Sequence, residues 1–251
     1  MALRRFEDKI VLVTASSTGI GFAISERLAS EGATVIISSR KKENVDQAVS
    51  EITKQGFKAI GFPCNVSKPE DRKALFNFIH EKWGRLDVLV PNAATSLHFG
   101  MSVDTPEKAY DKMFETNVKS IFQMITEYLP LLQKSKTANI CITSSYTAYS
   151  NSNLIGVYGV TKTTLLGLTK MFATEFMADD IRVNCVCPGL IRTKFAKALL
   201  ESENAATVAT GAKRPGEPRE IAGCVAFLTS QDASYMTGES LLMTGAVSSR
   251  L

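Results

Sequence analysis

Histidine is scarce. The chain carries only His80 and His98, and neither sits in a Cys/His/Asp/Glu pattern with metal-ligand spacing, so no bound metal is expected. The five cysteines, Cys64, Cys141, Cys185, Cys187 and Cys224, are odd in number and include no CxxC. Four fall in or beside apolar strand-like runs and Cys224 in the last helical pattern, which reads as buried free thiols in a reducing compartment. No apolar run approaches the roughly 20 residues that span a bilayer. Glu7-Asp8-Lys9 interrupts the charged start before any signal-like apolar stretch, so neither secretion nor membrane insertion is expected. Strong charge bias is also missing: 29 Lys+Arg against 25 Asp+Glu give +4, with only Arg40-Lys41-Lys42 forming a tight basic run. Nucleic-acid binding therefore has little support, whereas an anionic small ligand remains open.

No linker divides the 251 residues, and 45% hydrophobic with 22% charged residues is ordinary for a globular chain. One domain, 1–251, is the simplest reading. Short β-branched runs alternate with amphipathic stretches. The pattern predicts strands at 10–14, 34–39, 59–64, 88–91, 139–143, 182–186 and 240–243, and helices over 20–30, 45–54, 69–82, 108–132, 157–177 and 218–229. Such alternation predicts parallel strands with right-handed crossovers: an α/β, doubly wound (Rossmann) seven-stranded parallel sheet with helices on both faces. Its ligand crevice lies at the carboxyl ends of the strands. Gly32 and Gly56 suit helix C-termini, and Ser67 before Pro69 suits a helix start. The stretch 190–215, with apolar Phe195, Leu199 and Leu200 and with Gly211, is too long for a plain connection and reads as a substrate loop. A shorter loop, 94–106, lies at the same end of the sheet.

After the first strand, Thr14-Ala15-Ser16-Ser17-Thr18-Gly19-Ile20-Gly21 turns straight into a helix. Exposed N–H groups at a helix start form an anion site, and Gly19 and Gly21 permit close approach of backbone to a dinucleotide diphosphate. The second strand ends in Ser38-Ser39-Arg40, where an NAD-specific crevice places an acid against the ribose 2′-hydroxyl. With the acid missing, Arg40, helped by Ser39 and Lys41, suits a 2′-phosphate, which predicts NADPH. Tyr158 and Lys162 stand one helical turn apart, and Ser145 lies thirteen positions before the tyrosine. A phenol whose ordinary pKa is about 10 serves near neutrality only if that value falls, and the i+4 ammonium is placed to lower it. With Ser145 holding the same oxygen, the set reads as hydride transfer between a nicotinamide and a carbonyl or alcohol.

Together with Asn117 on the helix before the fifth strand, Ser145, Tyr158 and Lys162 resemble the catalytic tetrad of the short-chain dehydrogenase/reductase family, over essentially the whole chain. The resemblance implies Tyr158 as general acid in reduction and Ser145 polarising the carbonyl. Lys162 is implied to bind the nicotinamide ribose, and Asn117 to hold a proton-relay water. It further implies cofactor contacts at Thr14, Ser16, Ser17, Gly19, Ile20, Gly21, Ser39, Arg40, Asn65, Val66, Asn92, Ala93, Tyr158, Lys162, Pro188, Gly189, Ile191 and Thr193. Four departures stand out: Ala15 replaces the first glycine of the turn, Asn65 an acid facing adenine, Pro91-Asn92-Ala93-Ala94 the family's Asn-Asn-Ala-Gly, and Thr244-Gly245-Ala246 a more glycine-rich segment. Ala15 is expected to be harmless at an ordinary negative φ.

Ser249-Arg250-Leu251 is similar to the peroxisomal Ser-Lys-Leu signal; a hidden tail would leave the protein cytosolic. The likeness within the family is to peroxisomal NADPH-dependent carbonyl and retinal reductases, which implies aromatic ketones, α-dicarbonyls or retinal as substrates. It also implies a homotetramer assembled through helices 108–132 and 157–177. Leu97, Phe99, Tyr146, Leu154 and Phe195 are candidates for an apolar pocket. A 3-oxoacyl thioester reductase, and a non-catalytic subunit that keeps the fold, remain as alternatives.

Overall fold

The computed structural model describes residues 4–150, 154–196, 212 and 214–247. Seven parallel strands, β1 (Ile10–Thr14), β2 (Thr34–Ser38), β3 (Lys58–Gly61), β4 (Val88–Val90), β5 (Asn139–Thr143), β6 (Arg182–Pro188) and β7 (Ser240–Met243), form one sheet. Its order is β3-β2-β1-β4-β5-β6-β7. The order reverses between β1 and β4, and that switch point opens the crevice described below.

Helices α1 (Gly19–Ser30), α2 (Lys42–Lys54), α3 (Pro69–Trp83), α4 (Glu107–Phe114), α5 (Ser120–Leu132), α6 (Gly156–Glu175) and α7 (Pro218–Leu228) cover both faces. Strand alternation assigns the layers. Ile10 and Leu12 pack towards α3, α5 and α6, against Leu75, Ile125 and Phe172. Val11 and Val13 pack towards α1, α2 and α7, against Ile24, Ile52 and Val225. Burial on both faces is why these strands read as continuous apolar runs. All five cysteines are free thiols, and burial pushes Cys64 up to about 12.

Two element boundaries and one helix cap differ from expectation for identifiable reasons. β3 stops at Gly61 because Pro63 has no N–H to donate; Phe62 and Cys64 still donate to Ile37 and Ser39 of the neighbouring strand segment. The stretch expected as one helix over 108–132 is broken by a π-helical turn, Glu115–Lys119, between α4 and α5. Ser67 does not cap α3: Lys68 occupies the N-cap without a side-chain bond, and the Ser67 hydroxyl meets that of Thr116 at 3.1 Å. Gly32 and Gly56 do follow their helices with φ of 107° and 83°. Leu199, Leu200 and Gly211 of the substrate loop, and Ser249-Arg250-Leu251, lie outside the described residues.

Candidate active site

The carboxyl end of β1 makes the first wall. The Thr14 hydroxyl accepts from the backbone N–H of Asn92 (2.9 Å) and Ala93 (3.1 Å), and the Asn92 amide donates back to the Thr14 carbonyl at 3.0 Å. Ser16 donates to the Val13 carbonyl at 2.6 Å and accepts from the Ser38 N–H at 2.9 Å. Thr14, Ser16 and Asn92 thus spend these groups tying β1 to its neighbours and shape the turn from behind. Ser17 is half-buried in the same turn. A Cβ on Gly21 would lie 2.5 Å from the Ala15 carbonyl oxygen and 2.7 Å from the Asn92 amide nitrogen, so only glycine lets α1 start this close to the turn.

Ala15 is not at a negative φ. It stands at φ 49°, and Ala246 at 65°, so both alanines hold left-handed conformations that glycine adopts without steric cost. At the start of α1, Thr18 occupies the N-cap without a side-chain bond, and the first turn has no acidic residue. The helix therefore presents uncapped N–H groups and a positive dipole end to the crevice that Gly19, Ile20 and Gly21 line.

Next along the sheet, the hydroxyls of Ser38 and Ser39 are buried without hydrogen-bond partners among the described residues, and Arg40 is exposed beyond them. The loop after β3 is held from below. Asn65 donates its N–H to Asp71 (2.8 Å) and accepts from the Ser67 N–H (3.2 Å), while Arg72 donates to the Val66 carbonyl at 2.8 Å. Arg72 also forms a two-pronged ion pair with Glu127 of α5, at 2.9 and 2.8 Å. These supports from α3 escaped the sequence reading. Orphaned hydroxyls, uncapped helix N–H groups and a cation beyond them fit a phosphorylated dinucleotide at this edge of the sheet.

The reactive end is built by β5, α6 and the π-helical turn. A crevice of about 570 Å³ is lined there by Ser145, Tyr158, Lys162 and Thr143, and on its far wall by Pro188, Gly189, Ile191 and Thr193. Lys162, 1% exposed, donates to the Thr143 carbonyl at 2.9 Å and lies 5.5 Å from the centre of the Tyr158 ring. The Phe195 ring lies tilted against that ring, 5.8 Å between centroids. Asn117, fully buried, accepts from the Thr95 N–H (2.8 Å) and donates to the Thr95 carbonyl (2.9 Å) and the Thr161 hydroxyl (3.0 Å). The Thr161 hydroxyl in turn donates to the Tyr158 carbonyl at 2.7 Å. Asn117 is thereby joined to the helix that carries the tyrosine, and its own segment is the π-helical turn.

The electrostatics differ from the spacing argument. Burial pushes the Tyr158 phenol well above its ordinary value, the Ser145 hydroxyl pulls it down, and neighbouring Tyr146 pushes it up. Burial lowers Lys162 to about 8. Sequence spacing registers the nearby cation but not the desolvation of both groups, and among the protein's own groups desolvation wins.

The apolar candidates divide. Tyr146 and Phe195 line the crevice, joined by Ile155 and Ala94. Leu97 and Phe99 are each 49% exposed, on a loop outside that lining, and Leu154 is half-buried beside it. Thr147 was missed. Its hydroxyl and its N–H both donate to the Ser145 hydroxyl oxygen, at 2.9 and 3.2 Å, and only its closeness in sequence to Ser145 hinted at this.

A doubly wound sheet with serine, tyrosine and lysine gathered at its switch point defines an oxidoreductase of the nicotinamide-dependent class. The chain belongs to the short-chain dehydrogenase/reductase family: a family model described as enoyl-(acyl carrier protein) reductase matches residues 14–247. It is 45% identical over 251 residues to tropinone reductase-like 3 of Erythroxylum coca, covering 99% of this chain and 96% of that protein. Against dehydrogenase/reductase SDR family member 4 of Homo sapiens, identity is 44% over 247 residues, 97% of this chain and 89% of the relative. The structure of a short-chain type dehydrogenase/reductase from Mycobacterium marinum matches with TM-score 0.93 at 27% identity, over 99% of this chain and 98% of that one. The family uses NAD(H) or NADP(H). Among the described residues, no helix is long and apolar enough to cross a membrane.

Proposed function

We propose that the protein is an NADPH-dependent carbonyl reductase acting on aromatic ketones, α-dicarbonyls or retinal. The observation that carries this reading is the convergence of Ser145, Tyr158 and Lys162 on one end of the crevice, under the apolar cover of Phe195. When bound, the reduced cofactor supplies the hydride. Tyr158 then delivers a proton to the carbonyl oxygen, and Ser145 donates a hydrogen bond to that oxygen, stabilising the charge that builds on it. Lys162, anchored to the Thr143 carbonyl, holds a cation beside the phenol and reaches the nicotinamide ribose. Asn117 keeps the π-helical turn and α6 in register and holds a relay water. Pro188, Gly189, Ile191 and Thr193 form the nicotinamide wall.

At the other end, Gly19, Ile20 and Gly21 with Ser17 hold the diphosphate, while Thr14, Ser16, Asn92 and Ala93 set the shape of that turn. Asn65 and Val66 receive adenine, and Ser39 with Arg40 takes the 2′-phosphate that distinguishes NADPH. Support comes from the unpartnered Ser39 hydroxyl and from the absence of any acid in Ser38-Ser39-Arg40. The names of the tropinone reductase-like and SDR family member 4 relatives accord with carbonyl reduction.

The stretch 190–215 is the substrate loop of a single domain, 1–251. A homotetramer through α4, α5 and α6 accords with the groove there, where Phe114, Phe122 and Leu168 line a surface flanked by lysines. Ser249-Arg250-Leu251 is proposed as a peroxisomal address, to be checked by imaging a tagged chain with and without Leu251.

The deciding experiment follows NADPH oxidation over aromatic ketones, α-dicarbonyls, retinal and 3-oxoacyl thioesters, with Tyr158→Phe as control. Turnover of the first three classes that the control loses is expected. Turnover confined to thioesters would replace the substrate class, and tight NADPH binding without any turnover would leave a scaffold.

A further inference from the structure

We propose that Thr147 is a positioning residue that makes the Ser145 hydroxyl a committed donor towards the oxygen handled by Tyr158. A serine hydroxyl has one proton to give and two lone pairs to receive. Thr147 supplies a donor to each lone pair, its hydroxyl at 2.9 Å and its N–H at 3.2 Å. The Ser145 proton is left as the only group of that hydroxyl free to act in the crevice.

The geometry holds Thr147 in place from the helix that bears the tyrosine. A Cβ on Gly159, next to Tyr158, would lie 3.1 Å from the Thr147 carbonyl oxygen, so the missing side chain is what seats this turn against α6. The Thr163 hydroxyl donates to the Ala148 carbonyl at 3.1 Å, and Thr147 is itself 1% exposed. Orientation of Ser145 and placement of Tyr158 are therefore set by one packed unit.

Without the Thr147 hydroxyl, one Ser145 lone pair is released. The Tyr158 phenol is the neighbouring group with a proton to offer it. A phenol that donates to Ser145 is held in its neutral form and is turned away from the substrate oxygen, whereas a phenol oxygen that accepts from Ser145 is eased towards phenolate. Loss of the threonine hydroxyl thus slows proton delivery and moves the tyrosine titration upward, a consequence that mere loss of packing does not have.

The inference rests on the carbonyl-reductase reading, so its test includes a measurement that needs no turnover. Thr147→Val, Thr147→Ala and Thr147→Ser are compared with the native chain in kcat, in NADPH Kd and in ultraviolet titration of the Tyr158 phenolate with saturating NADP+, whose positive charge favours the phenolate, isolated by subtracting the matching Tyr158→Phe protein. The valine and alanine variants are expected to lose about five- to tenfold in kcat at unchanged NADPH Kd, the size of one hydrogen bond. Their phenolate titration should rise by about half a unit to one unit, and serine should restore both. Should valine fail to fold by circular dichroism, the alanine and serine pair carries the comparison. Equal titration in all folded variants, or a serine variant as slow as alanine, overturns the role. A native chain that turns over no carbonyl sinks the functional reading instead and leaves the titration readable.

Discussion

The two ends of the crevice are built on opposite plans. At the β1–α1 turn, the side chains of Thr14, Ser16 and Asn92 are turned inward onto the Asn92, Ala93 and Ser38 N–H groups and the Val13 and Thr14 carbonyls. What faces the crevice is backbone and the uncapped start of α1. At the other end the side chains of Ser145, Tyr158 and Lys162 line the crevice. Under the proposed function the first end selects by shape and dipole, and the second reacts. On that reading, substitutions should change affinity but not rate at the first end, and rate but not affinity at the second.

Tyr158→Phe is the strongest way to sharpen that contrast. Removing a positioned proton donor should lower kcat by about 10² to 10⁴-fold, with NADPH Kd unchanged by fluorescence titration. A drop in kcat under tenfold would dissolve the division between the ends.

Lys162→Met tests what the reactive end costs the fold. The ordinary value is 10.5 and burial lowers it to about 8, so between these values the unfolded chain binds more protons than the folded one. Stability consequently rises with pH across that window, and near neutrality the buried cation costs on the order of 3 kcal/mol. Lys162→Met should be more stable than the native chain at about pH 7, by about 1–3 kcal/mol in urea unfolding, and the gap should narrow towards about pH 10. A gap that widens with pH contradicts the stated direction.

Arg40→Ala probes the nucleotide end. Loss of a charge-assisted phosphate contact should weaken NADPH by about tenfold, or about 1.4 kcal/mol, and leave NADH untouched. Equal weakening of both cofactors would place Arg40 outside the 2′-phosphate site.

The same division explains what the amino-acid sequence disclosed. β1 and β5 begin and end where expected, because strands buried on both faces leave a plain signal. The closeness of Tyr158 to Lys162 and the turn into α1 were visible because the i,i+4 spacing and the glycines fix local geometry directly. The π-helical turn around Asn117 was not, since one extra residue per turn hardly disturbs helical periodicity over five residues. Nor was the upward push on the Tyr158 phenol, which comes from desolvation by residues distant in sequence. Thr147 stayed hidden for a related reason: donating into a serine lone pair has no periodic or compositional trace. Leu97 and Phe99 show the reverse failure, for hydrophobicity near a site does not say which way a loop side chain faces.

Ala15→Gly gives the smallest effect and the finest test of the shape-built end. At φ 49° the Ala15 methyl crowds its own backbone, a conformation that costs an L-residue about 1–2 kcal/mol relative to glycine. Glycine relieves that strain but gains freedom in the unfolded chain worth about 0.4–1 kcal/mol. The net gain should be about 0.5–1 kcal/mol in chemical denaturation, with kcat unchanged because the residue touches no reacting group. A destabilised variant with slower turnover would mean that the left-handed alanine is holding the nucleotide turn in register with the reactive end, and the two regions would then be one mechanical unit.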